Sequence, residues 1–190
     1  MTAARQVLLE RGAVGLRVKD IAEQARLAPS SVLYYYPDIA DLLLDVARSA
    51  MERYAEDRSA AVREIEGAAA RLRLAIRLGV PTGPDDEDSR LLYEIDALTG
   101  TSPAFRVLSA AFFDRQVHLY ESLIEAGAAA GDLRPLATAT TIARGLVAME
   151  DGLGLQVVLG HGGIDQEAAE RILLDHASAL VGAELVPAGP

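Results

Sequence analysis

Apolar residues recur with helical spacing along almost the whole chain, and no segment alternates apolar and polar residues convincingly with the period of a strand. Within residues 103–129, Phe105, Leu108 and Phe112 begin one apolar stripe, and Phe113 belongs to a second stripe on another side. A helix that is apolar on two sides is buried on two sides, so this segment should lie centrally in its domain. Alanine and leucine are frequent and tryptophan is absent, a composition that favours helices. We therefore predict an all-α fold of about nine helices.

The chain lacks the residues that several classes of function require. The chain has no cysteine, which excludes disulfides and thiolate chemistry. It has no recognisable secretory leader, and no apolar run reaches the roughly 20 residues of a membrane-spanning helix. His118, His161 and His176 are far apart without metal-ligand spacing, and no phosphate loop or nucleophile elbow is present. The sequence predicts a cytoplasmic protein with no enzyme activity, no cofactor and no metal site.

Charge is distributed unevenly along this chain, whose net charge is −10. Residues 1–36 contain five basic and three acidic side chains, so the acidic excess lies entirely beyond them. One of the five is Lys19, the only lysine in the sequence. A mildly basic N-terminal segment on an acidic body is typical of a small DNA-reading module attached to a regulatory domain.

Two short helices separated by a three-residue turn are predicted near the N-terminus. Their apolar spacing places them at Val18–Ala25 and Pro29–Tyr36, with Arg26–Ala28 as the turn. Pro29 lies in the first turn of its helix, where the missing N–H costs nothing. This is the layout of the helix-turn-helix motif, whose second helix enters the major groove of DNA.

The second of these helices is rich in hydroxyl groups. In the stretch LAPSSVLYYYP, Ser30 and Ser31 precede three consecutive tyrosines. Successive helical residues are about 100° apart, so if Tyr36 packs inward, Tyr34 and Tyr35 point elsewhere. Their hydroxyls suit phosphate oxygens and base edges, which favours a DNA-docking face, and the alternative is a solvated helix with exposed tyrosines. The predicted DNA-binding residues are Lys19, Arg26, Pro29, Ser30, Ser31, Tyr34 and Tyr35.

Residues 17–46 resemble the DNA-binding signature of TetR-family transcriptional regulators. That signature runs as an Ile-Ala pair, a further alanine, a turn, a serine- or threonine-bearing recognition helix, an aromatic cluster and a Leu-Leu helix start. The resemblance implies a helix-turn-helix DNA-binding domain at residues 1–46 and a helical ligand-binding and dimerisation domain at residues 47–190. The matching places are held here by Ile21 and Ala22, Ala25, Ser30 to Val32, Tyr34 to Tyr36, and Leu42 and Leu43.

Four positions depart from that family pattern. Arg26 occupies the place of the usual turn glycine, where it either adds a phosphate contact or strains the turn. Arg17 stands where a capping threonine is usual, so the second helix should begin less firmly. Leu33 and Ile39 replace side chains that often contact phosphate in the family. We therefore expect the electrostatic part of DNA affinity to rest on few groups.

By the same resemblance, the helical body forms a pocket for a small-molecule effector. Such pockets combine apolar walls with a few polar groups, although each of the candidates here also suits a surface or an interface. The acidic excess favours a cationic or hydroxylated effector. Glu150 and Asp151 lie in an otherwise apolar helix, where carboxylates need partners. The predicted ligand-binding residues are Tyr93, Asp96, Phe112, Gln116 and Met149.

The last two predicted helices carry more apolar surface than one small body needs. The resemblance implies that they pair with a second copy as a four-helix bundle, and a helix-turn-helix unit usually needs two half-sites for useful affinity. The alternative is that these residues form the core of the single chain. The predicted dimerisation residues are Leu146, Leu153, Val157, Ile172, Leu173, His176 and Leu180.

The function predicted from these features is that of a sequence-specific transcriptional regulator acting as a homodimer on palindromic operator DNA. We expect a repressor that leaves its operator when a small ligand binds. The helix that begins at Ile39 continues from the recognition helix into the body, so it can act as a lever between the two. The competing interpretation is an all-α small-molecule-binding protein or enzyme that retains the N-terminal domain without using it for DNA.

Overall fold

The structure is a computed structural model that describes residues 1–13, 15–98, 100 and 102–185. Within those ranges its regular structure consists of nine α-helices. No strand occurs within those ranges, so the predicted all-α fold is confirmed. None of the helices described there combines the length and the apolar character that crossing a membrane requires. The helices are α1 (Thr2–Arg11), α2 (Val18–Ala25), α3 (Pro29–Tyr35), α4 (Ile39–Arg63), α5 (Ala68–Gly79), α6 (Glu87–Asp96), α7 (Pro103–Ala130), α8 (Ala139–Leu159) and α9 (Gln166–Val181).

The chain divides into two compact units. Unit 1 contains residues 1–54 and 87–111, and unit 2 contains residues 55–86 and, within the described part, 112–185. Helices α4 and α7 therefore contribute residues to both units, while α6 belongs to the unit that contains the N-terminal helices. The predicted domain division, 1–46 and 47–190, stays a prediction, and its last five residues lie outside the described chain.

In unit 1, α2 packs against both α1 and α3, and α6 packs against α1. The buried side chains come from the apolar stripes of these helices, such as Leu8 on α1 and Ile21 on α2. At the start of α2, the Asp20 carboxylate accepts a hydrogen bond from the backbone N–H of Arg17 (3.1 Å). This bond satisfies an N–H at the helix start, so Asp20 supplies part of what the missing capping threonine would provide.

In unit 2, α8 and α9 pack against each other and α5 packs against both. Tyr120 and Ile124 of α7 are fully buried in the same core as Leu146 of α8 and Leu173 of α9. Asp165 caps the last helix, because its side chain accepts a hydrogen bond from the backbone N–H of Ala168 (2.9 Å). Unit 2 thus has a continuous apolar core built from the faces of α5, α7, α8 and α9, together with Val62 of α4.

Candidate DNA-binding surface and regulatory sites

Helix α3 directs most of its side chains to solvent. Within α3, which is described throughout, only Val32 is buried. Ser30 and Ser31 are exposed, and Tyr34 and Tyr35 expose 81% and 77% of their surface. The two rings meet edge to face, with centroids 5.1 Å apart and planes at 90°. A helix that exposes two paired aromatic rings and two hydroxyls has a face suited to docking rather than to packing in the core.

Tyr36 follows α3 and is half-buried, whereas Tyr34 and Tyr35 are exposed. Its hydroxyl donates a hydrogen bond to the Asp45 carboxylate on α4 (3.1 Å). Partial burial, together with this hydrogen bond and the negative charge of Asp45, raises the pKa of the Tyr36 hydroxyl. The bond fixes the end of α3 to α4.

Three cations of the N-terminal segment remain available to a ligand. Arg5 and Arg11 are each within 3.0 Å of an acidic side chain, in contacts of 2.9 Å and 2.5 Å. Arg17, Lys19 and Arg26 are exposed and have no ion-pair partner within the described part of the chain. Of the five basic residues in the segment, three can therefore contact phosphates.

Arg26 ends α2 in the left-handed region, with φ 55° and ψ 42°. It is the one non-glycine residue with positive φ among those that the structure describes. Left-handed geometry costs a residue with a side chain roughly 1–2 kcal/mol relative to the right-handed region. The turn therefore has a backbone shape that glycine adopts without strain, and Arg26 carries that strain.

Three polar contacts, which we name the α1–α6 clasp, connect α6 to α1 and to the residue that follows Gly12 within unit 1. Arg5 Nη2 lies 2.9 Å from Asp88 Oδ1, and Arg90 Nη2 donates to a backbone carbonyl near the end of α1 (3.2 Å). Glu94 Oε2 accepts the backbone N–H of Ala13 (2.9 Å). Sequence reasoning missed this clasp, because its partners are more than 80 residues apart.

Unit 2 contains a buried polar cluster, which comprises Arg58, Gln116, Tyr120 and Glu150. Arg58 Nη1 donates to Gln116 Oε1 (2.7 Å), and Arg58 Nη2 donates to Glu150 Oε1 (2.7 Å) and contacts the Tyr120 hydroxyl (2.8 Å). The same guanidinium donates to the carbonyl oxygen of Ala75 on α5. One arginine on α4 thereby connects α5, α7 and α8.

The charges of this cluster compensate each other. Burial raises the pKa of the Glu150 carboxyl, while the positive charge of Arg58 and the hydrogen bond from Tyr120 oppose that rise. The predicted need of Glu150 for a partner is thus confirmed by its ion pair with Arg58. Because a buried pair is costly to break, the cluster fixes the relative positions of the helices that contribute to it.

The predicted ligand-binding residues do not fall in one unit. Tyr93 and Asp96 belong to unit 1, whereas Phe112, Gln116 and Met149 belong to unit 2. Gln116 is buried against Arg58, so its amide oxygen is already occupied. The ligand-binding role of all five stays a prediction.

A cavity of about 380 Å³ opens in unit 2, in a place that the sequence did not indicate. Its basic residues come from the end of α4, from α5 and from α7, and we name it the arginine cavity. No single segment carries the pattern, which is why sequence reasoning missed it. The cavity is lined by Ser59, Val62, Arg63, Arg71, Arg115, His118, Leu119, Ser122, Leu123 and Ala126.

The predicted dimerisation residues divide into buried and accessible groups. Leu146, Val157 and Leu173 are buried in the core of the single chain, so their side chains are not available to a second copy. Leu153 and Leu180 are half-buried, and Ile172 and His176 are exposed. Exposed apolar side chains nearby on α8 are Leu155 and Leu159. The accessible apolar surface of α8 and α9 therefore differs from the predicted set, and dimerisation itself stays a prediction.

No group of histidine, aspartate and glutamate side chains suited to a metal ion occurs in the part of the chain that the structure describes.

Two family models together match most of the chain. Residues 1–46 match the model of bacterial regulatory proteins of the tetR family. Residues 68–182 match the model of the C-terminal domain of BetI-type transcriptional repressors. No curated protein matches the chain in sequence.

Solved structures with the same fold are numerous, and three are representative. A transcriptional regulator from Saccharomonospora viridis, in complex with choline, is 26% identical, with 92% of this chain and 91% of that chain covered and a TM-score of 0.83. A TetR-family regulator from Rhodococcus sp. is 24% identical, with 94% and 95% covered and a TM-score of 0.82. A TetR-family member from Streptomyces coelicolor A3 is 26% identical, with 92% and 94% covered and a TM-score of 0.68.

The family assignment follows from the two models, one of which covers more than half of the sequence. TetR-family regulators bind DNA and small-molecule effectors, typically as dimers, and they are generally not enzymes. The exposed face of α3 lies within residues 1–46, the part of the chain that matches the tetR-family model. The chain belongs to the TetR family and is a DNA-binding transcriptional regulator with a C-terminal domain of the BetI type.

Proposed function

We propose that the protein is a homodimeric repressor that binds a palindromic operator through α3 and leaves it when a small-molecule effector binds. The observation that carries this proposal is the exposed face of α3, where Ser30, Ser31, Tyr34 and Tyr35 all face solvent. A solvated helix has no reason to expose two large aromatic rings side by side. A helix that docks on DNA has one, because phenol hydroxyls bind phosphate oxygens.

Each side chain on this surface has a distinct role in the proposal. Ser30 and Ser31, at the start of α3, approach base edges, because the first turn of a recognition helix lies deepest in the major groove. Lys19, Tyr34 and Tyr35 contact phosphates, with Arg26 and the first-turn Pro29 flanking them. Phosphate contacts position the protein and base contacts specify the sequence.

Two copies are needed to read the two half-sites of a palindrome. The apolar surface that supports pairing comprises Leu155, Leu159 and Ile172, which are exposed, and the half-buried Leu153 and Leu180. Reading helices must be one DNA turn apart, about 34–36 Å, so a dimer with a fixed spacing binds and a dimer with another spacing does not.

Two structural connections support release by an effector. Helix α4 begins beside the recognition helix, where Asp45 holds Tyr36, and its last turns contribute Arg58 to the buried polar cluster. The second connection is the α1–α6 clasp, which joins α6 to the N-terminal helices. An effector that shifts α4 or α6 changes the position of α3, with a coupling of about 1–3 kcal/mol that acts equally in both directions.

The proposal has three further parts. Residues 1–46 are the DNA-binding domain, and residues 47–190 are the effector-binding and dimerisation domain. The protein acts in the cytoplasm, where bacterial operator DNA lies. It has no catalytic activity, in contrast to the competing interpretation of an all-α enzyme or binding protein that no longer uses its N-terminal domain.

Selection of genomic DNA fragments by the purified protein tests the proposal. We expect enrichment of fragments that share a palindrome, whose neighbouring genes are then candidates for regulation. The matched control is the variant Ser31→Ala/Tyr34→Ala/Tyr35→Ala, in which only exposed side chains are removed, so the fold should be unchanged by circular dichroism. Equal recovery of fragments by both proteins, without a shared palindrome, would contradict the proposal.

A further inference from the structure

We propose that the arginine cavity binds a small amphipathic organic acid, with its carboxylate on the arginines and its hydrocarbon part on the apolar wall. The cavity brings together Arg63, Arg71, Arg115 and His118. Around it, among the residues that the structure describes, no acidic side chain forms part of the lining. This is unexpected in a chain of net charge −10, and it opposes the cationic effector favoured by composition.

The guanidinium groups of the cavity have free donors. Arg71 donates from Nε to the carbonyl oxygen of Ile65 (2.6 Å), which orients the group and leaves its terminal nitrogens unused. No acidic side chain in the described chain lies within ion-pair distance of Arg63. Arg115 has only a long contact of 3.8 Å with the exposed Glu56. Planar guanidinium groups with free donors match the two oxygens of a carboxylate.

The acidic groups near the cavity, Glu56 and Glu121, lie outside its lining. His118 Nδ1 lies 3.7 Å from Glu121 Oε2, and the same glutamate side chain is hydrogen-bonded to Thr140. Three guanidinium groups around one space repel each other, and a bound anion relieves that repulsion. A quaternary ammonium ligand such as choline would add to that repulsion instead.

The remaining lining residues define the size and character of the ligand. Val62 is a buried lining residue, and Leu119, Leu123 and Ala126 follow one another along one face of α7. A volume of about 380 Å³ is near the lower end of the usual range for ligand pockets. The combination suits a short hydrocarbon chain with one anionic end rather than a fully polar anion.

The assignment of this cavity as the effector site rests on the proposed function. Arg63 is the last residue of α4, the helix that starts beside the recognition helix. A carboxylate held jointly by Arg63, Arg71 and Arg115 draws the end of α4 towards α5 and α7. The binding site itself does not depend on that role, so the two claims can be tested separately.

Three probes with the same eight-carbon chain and different head groups test the site: octanoate, octanol and octyltrimethylammonium. Isothermal titration calorimetry on the full chain should show saturable binding of octanoate with one site per chain, and much weaker binding of the other two. Arg63→Gln and Arg115→Gln should each weaken octanoate binding by about tenfold or more, the cost of a lost charge-assisted hydrogen bond. The control is Arg77→Gln, which removes an exposed arginine of α5 that does not line the cavity.

The outcomes separate the claims. Equal binding of the three probes, preference for the cationic probe, or equal loss in the Arg77→Gln control would overturn the anion site. If octanoate binds as expected but leaves affinity for a selected operator unchanged, the site stands and its assignment as the effector site is wrong. If no operator is recovered at all, the proposed function fails while the calorimetry still decides whether the cavity binds the acid.

Discussion

The Glu94 carboxylate accepts a hydrogen bond from the backbone N–H of Ala13 at 2.9 Å, and so joins α6 to the segment that follows α1. The neighbouring Gly12 has a positive φ of 75°, and a Cβ atom at that position would lie 3.2 Å from Glu94 Oε2. The turn after α1 is therefore shaped to receive this carboxylate. Helix α6 thus holds the segment after α1 through a hydrogen bond between a charged acceptor, Glu94, and a backbone donor, Ala13.

Replacing Glu94 by alanine should weaken both the fold and the regulation. The Ala13 N–H loses its charged acceptor, which we expect to lower the free energy of unfolding by about 1.5–3 kcal/mol in urea denaturation. The factor by which an effector reduces operator affinity should also fall, because α6 loses one of the three contacts of the clasp. The control Glu125→Ala removes an exposed carboxylate on α7 and should change both quantities little. Equal effects of the two substitutions would rule out a role for the clasp.

Replacing Gly79 by alanine should disrupt the buried polar cluster. A Cβ atom there would overlap the Glu150 carboxylate and lie 2.5 Å from Arg58 Nη2, so the ion pair must shift. We expect a loss of about 3 kcal/mol in the free energy of unfolding, in the range for a broken buried pair. Gly145→Ala is the matched control, because nothing lies within 4 Å of a Cβ atom at that helical position. Gly145→Ala should stabilise the protein by about 0.5–1 kcal/mol. A similar gain in Gly79→Ala would show that its Cβ atom does not disturb the buried polar cluster.

Replacing Arg26 by glycine should change fold stability and DNA affinity in opposite directions. Glycine adopts the left-handed geometry without strain, so the free energy of unfolding measured in urea should rise by about 0.5–1 kcal/mol. Loss of one cation should weaken binding to all DNA sequences and reduce the salt dependence by about one phosphate contact. Arg26→Lys, which keeps the charge and the strain, should leave both quantities near the wild-type values. A less stable glycine variant would show that Arg26 makes a contact that the fold needs.

Arginine at Ile172 should prevent dimerisation, whereas arginine at Leu173 should unfold the chain. Ile172 exposes 39% of its surface, so Ile172→Arg should give a folded monomer in sedimentation experiments, with operator binding lost. Leu173 is fully buried in the chain's own core, so Leu173→Arg places an unpaired charge there and should unfold the protein, as circular dichroism would show. If Ile172→Arg remains dimeric, another surface forms the interface.

Local patterns in the sequence were sufficient to predict the helices and to predict which side chains α3 exposes. Val32 is buried, Tyr36 turns to α4, and Tyr34 and Tyr35 are exposed, as helical rotation requires. Val32, Tyr34 and Tyr35 lie within one turn of each other, where helix geometry alone decides which face a side chain occupies. The contact of Tyr36 with α4 crosses the short loop after α3. The recognition helix could therefore be interpreted before any tertiary contact was known.

Contacts between distant segments could not be predicted in the same way. Arg58 lies among charged and alanine residues that suggest a solvated helix face, yet its partners Gln116 and Glu150 are 58 and 92 residues further along the chain. Periodicity identified the apolar faces of α8 and α9, but it does not distinguish a face buried in its own chain from one offered to a partner. This is why Leu146, Val157 and Leu173 were expected at a dimer interface and lie in the core.

The most direct test of the central claim is fluorescence anisotropy with two duplexes, the selected palindrome and a scrambled duplex of equal length and composition. We predict a clear preference for the palindrome, and a salt dependence equivalent to about three phosphate contacts per half-site, one for each free cation. Ser31→Ala should reduce the preference between the duplexes, whereas Tyr34→Phe should weaken binding to both about equally. Equal affinity of the wild-type protein for the two duplexes, with a salt dependence near zero, would contradict the account.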